Sequence, residues 1–226
     1  MGALHRGHGS LVERCRAESE IVVVSIFVNP SQFNDAGDLT RYPRTLDQDL
    51  CLLESLGADE VIAPRAQEMY PHGYRFRMEP PADDFVLEGA HRPGFLQGVL
   101  TVVLKLLNLV RADRAYFGEK DYQQLQVVTA MTEEFFLATR IVACPTVREA
   151  SGLAMSSRNR LLSPEARDKA AHLFRVLATA TTCDEAKAAL EAQGFDVEYV
   201  EERWNRRLGA VFLEGVRLID NVPGGR

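Results

Sequence analysis

Two histidines close to the start of the chain have a spacing that could serve phosphoryl chemistry. His5 and His8 are three residues apart in the segment His5-Arg6-Gly7-His8, and in the first turn of a helix this spacing puts both imidazole rings on one face. Gly7 leaves room for a ligand to approach the backbone. A helix N-terminus would add unpaired N–H donors and partial positive charge, which suit a phosphate, and imidazole donors could stabilise charge in a phosphoryl transition state. Alone, the motif is also compatible with two surface histidines.

Three more clusters carry groups that bind anions or carboxylates. Gly118-Glu119-Lys120-Asp121 follows a predicted strand, where a lysine and a carboxylate can hold a nucleotide and its metal ion. Met155-Ser156-Ser157-Arg158 lies in a predicted loop that could close over a triphosphate. Gln32 follows another predicted strand and could hydrogen-bond a carboxylate or hydroxyl. Each alone could be a solvated loop, but their shared place at the predicted carboxyl edge of a sheet favours a site for an anionic, nucleotide-like ligand.

The elements that would position these clusters follow from the apolar runs. Residues 21–28 read IVVVSIFV, which is typical of a parallel strand buried on both faces. Thr45 and Gln48 have capping-box spacing at the start of a helix that ends at Gly57. The other predicted elements are strands at 61–63, 115–117 and 141–143 and helices at 95–110 and 122–136. The alternation predicts an α/β fold with a Rossmann-like parallel sheet and helices on both faces.

The last third of the chain reads differently. After a polar, irregular segment at 145–162, Ser163 and Pro164 supply an N-cap and a first-turn proline. The predicted elements are then helices up to about residue 181 and from 184 to 193, and strands at 197–200 and 211–219. This predicts a nucleotide-binding domain over residues 1–144 and a small α+β lid or substrate domain over residues 145–226.

Composition narrows the class of protein. The net charge of -6 disfavours nucleic acid as a partner, and 46% hydrophobic with 26% charged residues excludes a disordered tail or a rod. The cysteines are far apart in sequence and predict reduced thiols: Cys15, Cys51, Cys144 and Cys183. The longest apolar stretch, residues 99–110, is too short for a membrane span. We therefore expect a soluble, cytoplasmic protein with no membrane partner.

Seven segments together resemble one family. They occur here in the order found in pantothenate synthetases, also called pantoate–β-alanine ligases, which belong to the HxGH nucleotidyltransferase superfamily. The segments are MGALHRGH, SIFVNPSQF, RYPRTLDQDL, EGAHRPG, RAYFGEKDYQQLQV, PTVREASGLAMSSRNR and RLIDN. The wider superfamily shares the histidine motif but not GEKDYQQL or the SSRN segment, so the combination is specific.

The resemblance implies an ATP-dependent condensation of pantoate with β-alanine. The pantoate carboxylate would attack the α-phosphate of ATP, giving pantoyl adenylate and pyrophosphate, and the amine of β-alanine would then displace AMP. The family also implies a requirement for Mg²⁺ and a homodimer, while the ligands of the metal remain unassigned.

The resemblance also assigns site residues. His8 would be the proton donor, His5 would assist at the phosphates, and Lys120 and Arg158 would supply positive charge. Gln32 and Gln124 would hold pantoate, with Gln32 also near β-alanine. The residues expected to contact ATP are Met1, Gly2, Ala3, Leu4, His5, Arg6, Gly7, His8, Gly118, Glu119, Lys120, Asp121, Val147, Met155, Ser156, Ser157 and Arg158.

Two alternatives stay open at this point. Relative to the family, the chain is expected to lack a segment with the first strand of the sheet and to be shortened in its C-terminal domain, which would leave an exposed sheet edge. A truncated, catalytically silent homologue that still binds nucleotide or a partner is therefore one alternative. Another nucleotidyltransferase of the same superfamily is the second.

Overall fold

The computed structural model describes residues 2–33 and 36–224 of the chain. The chain forms two compact units: unit 1 comprises Met1–Glu119 and Gln123–Cys144, and unit 2 comprises Lys120–Tyr122 and Pro145–Arg226. Within the described residues, no helix combines the length and the apolar character needed to cross a bilayer.

Unit 1 is built from helices and short parallel strands, as the alternation predicted. Its helices are α1 (Arg6–Glu18), α2 (Ala36–Arg41), α3 (Leu46–Ser55), α4 (Ala66–Met69), α5 (Glu88–His91), α6 (Phe95–Val110) and α7 (Tyr122–Glu134), the first residue of α7 belonging to unit 2. Its strands are β1 (Val23–Ser25), β2 (Glu60–Ile62), β3 (Arg114–Gly118) and β4 (Arg140–Cys144). Three-residue 3-10 helices occur at Pro30–Gln32, Ala82–Asp84 and Glu119–Asp121.

The parallel strands form two pairs. β1 pairs with β2, with Val24 opposite Val61, and β3 pairs with β4, with Tyr116 opposite Val142. The strand predicted over residues 21–28 is shorter than expected, since only Val23–Ser25 has strand structure. Its partner β2 ends at Ile62, two residues before Pro64, which has no N–H to give to a ladder.

Two apolar clusters hold unit 1 together. The N-terminal half of α6 is buried, and this helix has the bounds that the sequence predicted. The cluster around it includes Leu96, Val99, Leu100, Val128 and Met131. A second cluster joins the segment before α1 to β1 and α3, and it contains Leu4, Val12, Val22, Val24, Ile26 and Leu53. The residues on either side of the histidine motif are thus part of a core.

The predicted capping box of α3 is wrong. Thr45 is the N-cap, but its side chain makes no hydrogen bond to the backbone of the first turn. Its hydroxyl instead donates to Asp49 Oδ1 at 3.0 Å. Asp49 is buried one turn into the helix, and its carboxylate is a strong acceptor for this hydroxyl.

Unit 2 packs two helices on an antiparallel sheet. Its elements are the 3-10 helix Ser157–Leu161, α8 (Pro164–Thr179), α9 (Cys183–Ala192), β5 (Asp196–Arg203), β6 (Arg206–Leu213) and β7 (Val216–Pro223). The sheet order is β5-β6-β7. Ser163 caps α8 by accepting from the amide of Ala166, as predicted.

The single strand predicted over residues 211–219 is wrong, because that stretch is a hairpin. Leu213 pairs with Val216 across a two-residue turn. Both turn residues have positive φ, 51° at Glu214 and 72° at Gly215. A two-residue turn with this backbone matches the twist of antiparallel strands. Because apolar residues continue on both sides of it, the sequence pattern does not mark the turn.

Candidate active site

The two histidines lie together at the start of α1. His5 is the N-cap, with extended backbone, and His8 is in the first turn. Their ring centroids are 4.0 Å apart and their planes are tilted by 34°. The spacing therefore places both imidazoles on one face, as predicted.

Local hydrogen bonds fix the tautomer of the first ring. His5 Nδ1 accepts from the amide of Gly7 at 3.1 Å, so a neutral ring carries its proton on Nε2, which is then its donor. The amide of His8 donates to the carbonyl of His5 at 2.8 Å. The expectation of unpaired amides is thus wrong for Gly7 and His8. A phosphate at this helix end would therefore be attracted by the helix dipole and by side chains and not by these two amides.

A buried carboxylate anchors the segment that leads to these histidines. Asp49 is 3% exposed and accepts from the amides of Ala3 at 2.9 Å and Leu4 at 2.7 Å. Ala3 has a φ of 50°, a left-handed conformation that costs about 1–2 kcal/mol outside glycine. Because Asp49 belongs to α3, this contact ties the histidine segment to a second helix. Sequence reasoning missed it, since Asp49 looked like an ordinary acid in a first helical turn.

Gln32 is held in a tight turn against α6. The side chain of Asn29 is 2% exposed and donates to Gln32 Oε1 at 3.2 Å and to the carbonyl of Gly98 at 3.1 Å. A Cβ at Gly98 would lie 2.5 Å from the carbonyl oxygen of Ser31, so only glycine allows this approach. With Oε1 occupied, the amide nitrogen of Gln32 is the group suited to a carboxylate.

A tyrosine and an arginine complete the surroundings of this turn. Tyr70 donates to Asn29 Oδ1 at 2.9 Å, and burial raises the pKa of its phenol, so it stays a donor at neutral pH. Arg92 donates to the carbonyl of Gln32 at 3.1 Å and to the buried carboxylate of Glu88 at 3.2 Å. The role of Arg92 was also missed, although the four-residue spacing of Glu88 and Arg92 was a usable signal.

The two adjacent glutamines of α7 differ in their surroundings. Gln123 is buried, donates to the carbonyls of Asp84 and Val86 at 3.0 Å each, and accepts from the amide of Glu88 at 2.9 Å. All of its hydrogen bonds are therefore structural. Gln124, the residue assigned to pantoate, is half-buried. The residues around α5 thus bind both Gln123 and, through Arg92, the turn that carries Gln32.

In unit 2, a residue of β7 holds the backbone of Lys120. The Lys120 carbonyl accepts from Asn221 Nδ2 at 3.0 Å. The ring of Tyr122 lies near the indole of Trp204, with ring centroids 6.2 Å apart. The guanidinium of Arg206 lies 4.4 Å from the centroid of the Tyr122 ring. These contacts anchor residues 120–122 to β6 and β7.

The polar loop of unit 2 forms a short hairpin followed by a 3-10 turn. The amide of Met155 donates to the carbonyl of Val147 at 3.0 Å, which brings together two residues assigned to ATP. The hydroxyl of Ser156 caps the turn by accepting from the amide of Arg158 at 3.2 Å. Asn159 is buried and donates to Glu149 Oε1 and to the carbonyl of Ala154. The serines thus start a well-anchored turn that presents Arg158.

The residues assigned from the sequence are divided between the two units. Unit 1 contains Gly2, Ala3, Leu4, His5, Arg6, Gly7, His8, Gln32, Gly118, Glu119 and Gln124, and unit 2 contains Lys120, Asp121, Val147, Met155, Ser156, Ser157 and Arg158. Met1 lies outside the described residues. The assignment of both sets to one ATP stays a prediction.

Comparison with known proteins gives one consistent result. The sequence model of a family described as Pantoate-beta-alanine ligase matches residues 1–223. A pantothenate synthetase of Bdellovibrio bacteriovorus is 52% identical over 222 residues, which cover 98% of this chain and 88% of that protein. A pantothenate synthetase of Cereibacter sphaeroides is 48% identical over 248 residues, which cover 99% of this chain and 89% of that protein.

Solved structures agree with these matches. The pantothenate synthetase of Thermus thermophilus has a TM-score of 0.93 at 43% identity, covering 99% of this chain and 90% of that chain. The pantoate-beta-alanine ligase of Francisella tularensis, complexed with "Beta-gamma ATP" and β-alanine, has a TM-score of 0.94 at 40% identity, covering 99% and 87%.

Proposed function

The chain belongs to the pantoate–β-alanine ligase family, whose members are ATP-dependent ligases, and we propose that it condenses pantoate with β-alanine through a pantoyl-adenylate intermediate. The observation that carries the proposal is the pair of imidazoles at the N-terminus of α1, which lie 4.0 Å apart. Asp49 holds the backbone of the two residues before them. Such a pair suits the stabilisation of charge on a phosphoryl group in transit.

The chemistry balances in two steps. A pantoate carboxylate oxygen bonds to the α-phosphorus of ATP while the bond to the bridging oxygen breaks, and pyrophosphate leaves. The amine of β-alanine then bonds to the acyl carbon and loses one proton to solvent, the carbon–oxygen bond to phosphate breaks, and AMP leaves with the oxygen that came from pantoate. Both steps depend on positioning and charge stabilisation more than on a protein nucleophile.

Each assigned residue has a role in this scheme. His8 acts as the proton donor and His5, through Nε2, hydrogen-bonds the phosphates. Lys120 and Arg158 offset the charge of the triphosphate and the leaving pyrophosphate. Gln32 and Gln124 hold pantoate, and the amide nitrogen of Gln32 suits its carboxylate. Unit 1 is then the nucleotide-binding domain and unit 2 the lid or substrate domain.

Magnesium is proposed to bind together with ATP. Among the residues that the structure describes, no group of three His, Cys, Asp or Glu side chains is arranged to hold a metal ion. Mg²⁺ is commonly held by one or two carboxylates together with nucleotide phosphates, so the proposal needs no such group. Asp121, next to Lys120, is the exposed carboxylate that would serve. When bound, the ion would neutralise phosphate charge.

The family resemblance further supports a cytoplasmic homodimer. In unit 1, Leu109 of α6 is exposed and so is Phe136, just after α7. Single exposed apolar side chains occur on most monomers, and only a contiguous apolar patch marks a subunit interface, so the homodimer rests on the family resemblance. Light scattering on the purified protein tests this part separately: a mass of twice 25.2 kDa is expected, and a single-chain mass contradicts it.

Exchange of labelled pyrophosphate into ATP tests the proposed function. Exchange that depends on pantoate and does not require β-alanine is expected. His8→Ala should lower it about 100-fold or more, while the matched control His72→Ala, an exposed histidine of unit 1, should leave it unchanged. Exchange with another acid or nucleotide would favour a different nucleotidyltransferase. ATP binding without exchange would favour a catalytically silent homologue.

A further inference from the structure

The RLIDN segment near the end of the chain ends in two buried polar residues. Asp220 and Asn221 lie next to each other in β7, and each is 3% exposed. Buried polar groups are costly unless hydrogen-bonded, and neighbouring residues of a strand point to opposite faces of its sheet. The contacts of these two residues lead to two different stretches of unit 2, both already assigned to ATP.

Asp220 binds Arg148, which lies in the hairpin that contains Val147 and Met155. Its two carboxylate oxygens accept from the two terminal nitrogens of Arg148 at 2.6 and 2.9 Å, which is a bidentate pair of the strong, directional kind. Arg148 also donates to the carbonyl of Gly152 at 3.1 Å, and its guanidinium stacks 3.7 Å from the centre of the Phe174 ring. The base of the hairpin is therefore fixed by one buried carboxylate.

Asn221 binds the stretch of backbone that contains Lys120. Its Nδ2 donates to the carbonyl of Lys120 at 3.0 Å, and its Oδ1 accepts from Arg206 at 2.7 Å. Arg206 in turn lies 4.4 Å from the ring centroid of Tyr122. The Lys120 carbonyl is thus attached to the sheet directly by the amide of Asn221, and the Tyr122 ring is attached to it through Arg206.

We propose that Asp220 and Asn221 are positioning residues for ATP: Asn221 sets the place of Lys120, and Asp220 sets the place of the hairpin with Val147 and Met155. The inference rests on the proposed function, because Asp220 and Asn221 can position ATP only if Lys120, Val147 and Met155 bind it. Neither side chain needs to touch the nucleotide. The effect of Asn221 passes through the backbone carbonyl of Lys120, and the effect of Asp220 passes through the side chain of Arg148.

A double-mutant cycle on ATP binding tests the Asn221 arm. Asn221→Asp keeps the acceptor for Arg206 but puts a carboxylate oxygen against the carbonyl of Lys120. We expect it to raise the ATP dissociation constant, measured by equilibrium dialysis with ATP and Mg²⁺, about 10-fold in the native chain and less than about twofold in a Lys120→Ala background. A residue with a merely structural role would weaken binding equally in both backgrounds, and that result would overturn the proposal.

Asp220→Asn tests the other arm with an almost unchanged side-chain shape. It should raise the ATP dissociation constant by a similar factor in the native chain and in the Lys120→Ala background, because it passes through Arg148, but by less than about twofold in a Met155→Ala background. Equal weakening in the Met155→Ala background would show a merely structural role for Asp220 and would overturn this arm. The matched control is Glu198→Gln, which removes the half-buried ion pair of Glu198 with Arg217 in the same sheet. The control should bind ATP as the native chain does.

The outcomes separate this inference from the proposed function. If the native chain fails to bind ATP, both are overturned. If the native chain binds ATP and shows pantoate-dependent exchange, but both variants behave like Glu198→Gln, only this inference is overturned. If urea unfolding shows that Asn221→Asp does not fold, Asn221→Ser replaces it in the cycle, with the same expectation of loss only when Lys120 is present.

Discussion

The anchor of the histidine segment gives the sharpest stability prediction. Asp49→Ala removes the acceptor of three hydrogen bonds, from the amides of Ala3 and Leu4 and from the hydroxyl of Thr45. Ala3 and Leu4 are buried, so water does not readily replace the lost partner. The left-handed conformation of Ala3 then has nothing to hold it, and the turn before His5 should relax.

The expected magnitude follows from the two amides. A buried donor left without a partner costs about 1–3 kcal/mol, and hydrogen bonds to a charged acceptor lie at the upper end of the usual range. Asp49→Ala should therefore lower the free energy of unfolding by about 2–5 kcal/mol. Asp49→Asn, which can still accept from one amide, should cost about half as much. Thr45→Val, which leaves both amide bonds intact, should cost about 1 kcal/mol.

Urea unfolding followed by circular dichroism measures this order of effects. Hydrogen–deuterium exchange reads the same change locally, since the amides of Ala3 and Leu4 should be protected in the native chain and in Thr45→Val but should exchange rapidly in Asp49→Ala. Pyrophosphate exchange should fall at least about 10-fold in the variant because the imidazoles lose their fixed position. Unchanged amide protection, or an unfolding free energy within about 0.5 kcal/mol of native, would refute the reasoning.

Three further expectations follow from single contacts. Gly98→Ala puts a methyl group 2.5 Å from the carbonyl oxygen of Ser31, so it should destabilise the chain by about 1–3 kcal/mol and raise KM for pantoate more than KM for ATP. A hydrogen bond from the amide of Val22 holds the pKa of Asp59 below its ordinary value. The stability that this carboxylate contributes is therefore present above about pH 4 and lost as the pH falls through the lower folded pKa, and Asp59→Asn should flatten that acid limb in unfolding measurements. Cys51 is the exposed cysteine, so mass spectrometry after brief iodoacetamide treatment should find it alkylated first, and earlier labelling of another cysteine would contradict the burial pattern.

Periodicity predicted the helices better than the strands. The sixteen-residue helix Phe95–Val110 was predicted with its bounds. An apolar run of this length is too long for a typical strand, and Gly94 and Arg111 mark where it begins and ends. The strand at 21–28 was predicted too long. An apolar run indicates that the residues are buried, but the length of the strand also depends on the length of the strand it pairs with, here the three-residue β2. The hairpin at Glu214 and Gly215 was missed because apolar residues continue on both sides of the turn.

Motifs gave candidate residues for the chemistry, whose roles stay predictions, but they did not indicate which residues hold the segments that carry those candidates. The three-residue spacing of His5 and His8 was enough to place both rings together, because helix geometry fixes that neighbourhood. Asp49, Arg92 and Asn221 reach the backbone of the segments they hold across 45 to 101 positions of sequence, and no local pattern encodes such contacts. The supporting residues therefore became visible only in the folded chain.

The central claim, that this chain adenylates pantoate, is tested most directly by following one oxygen atom. Pantoate labelled with heavy oxygen in its carboxylate is converted with ATP, Mg²⁺ and β-alanine, and the products are analysed by mass spectrometry. We expect one labelled oxygen to appear in AMP, because the carboxylate attacks the α-phosphorus and its oxygen leaves with the nucleotide. Label in orthophosphate with formation of ADP, or AMP that carries no label, would contradict it.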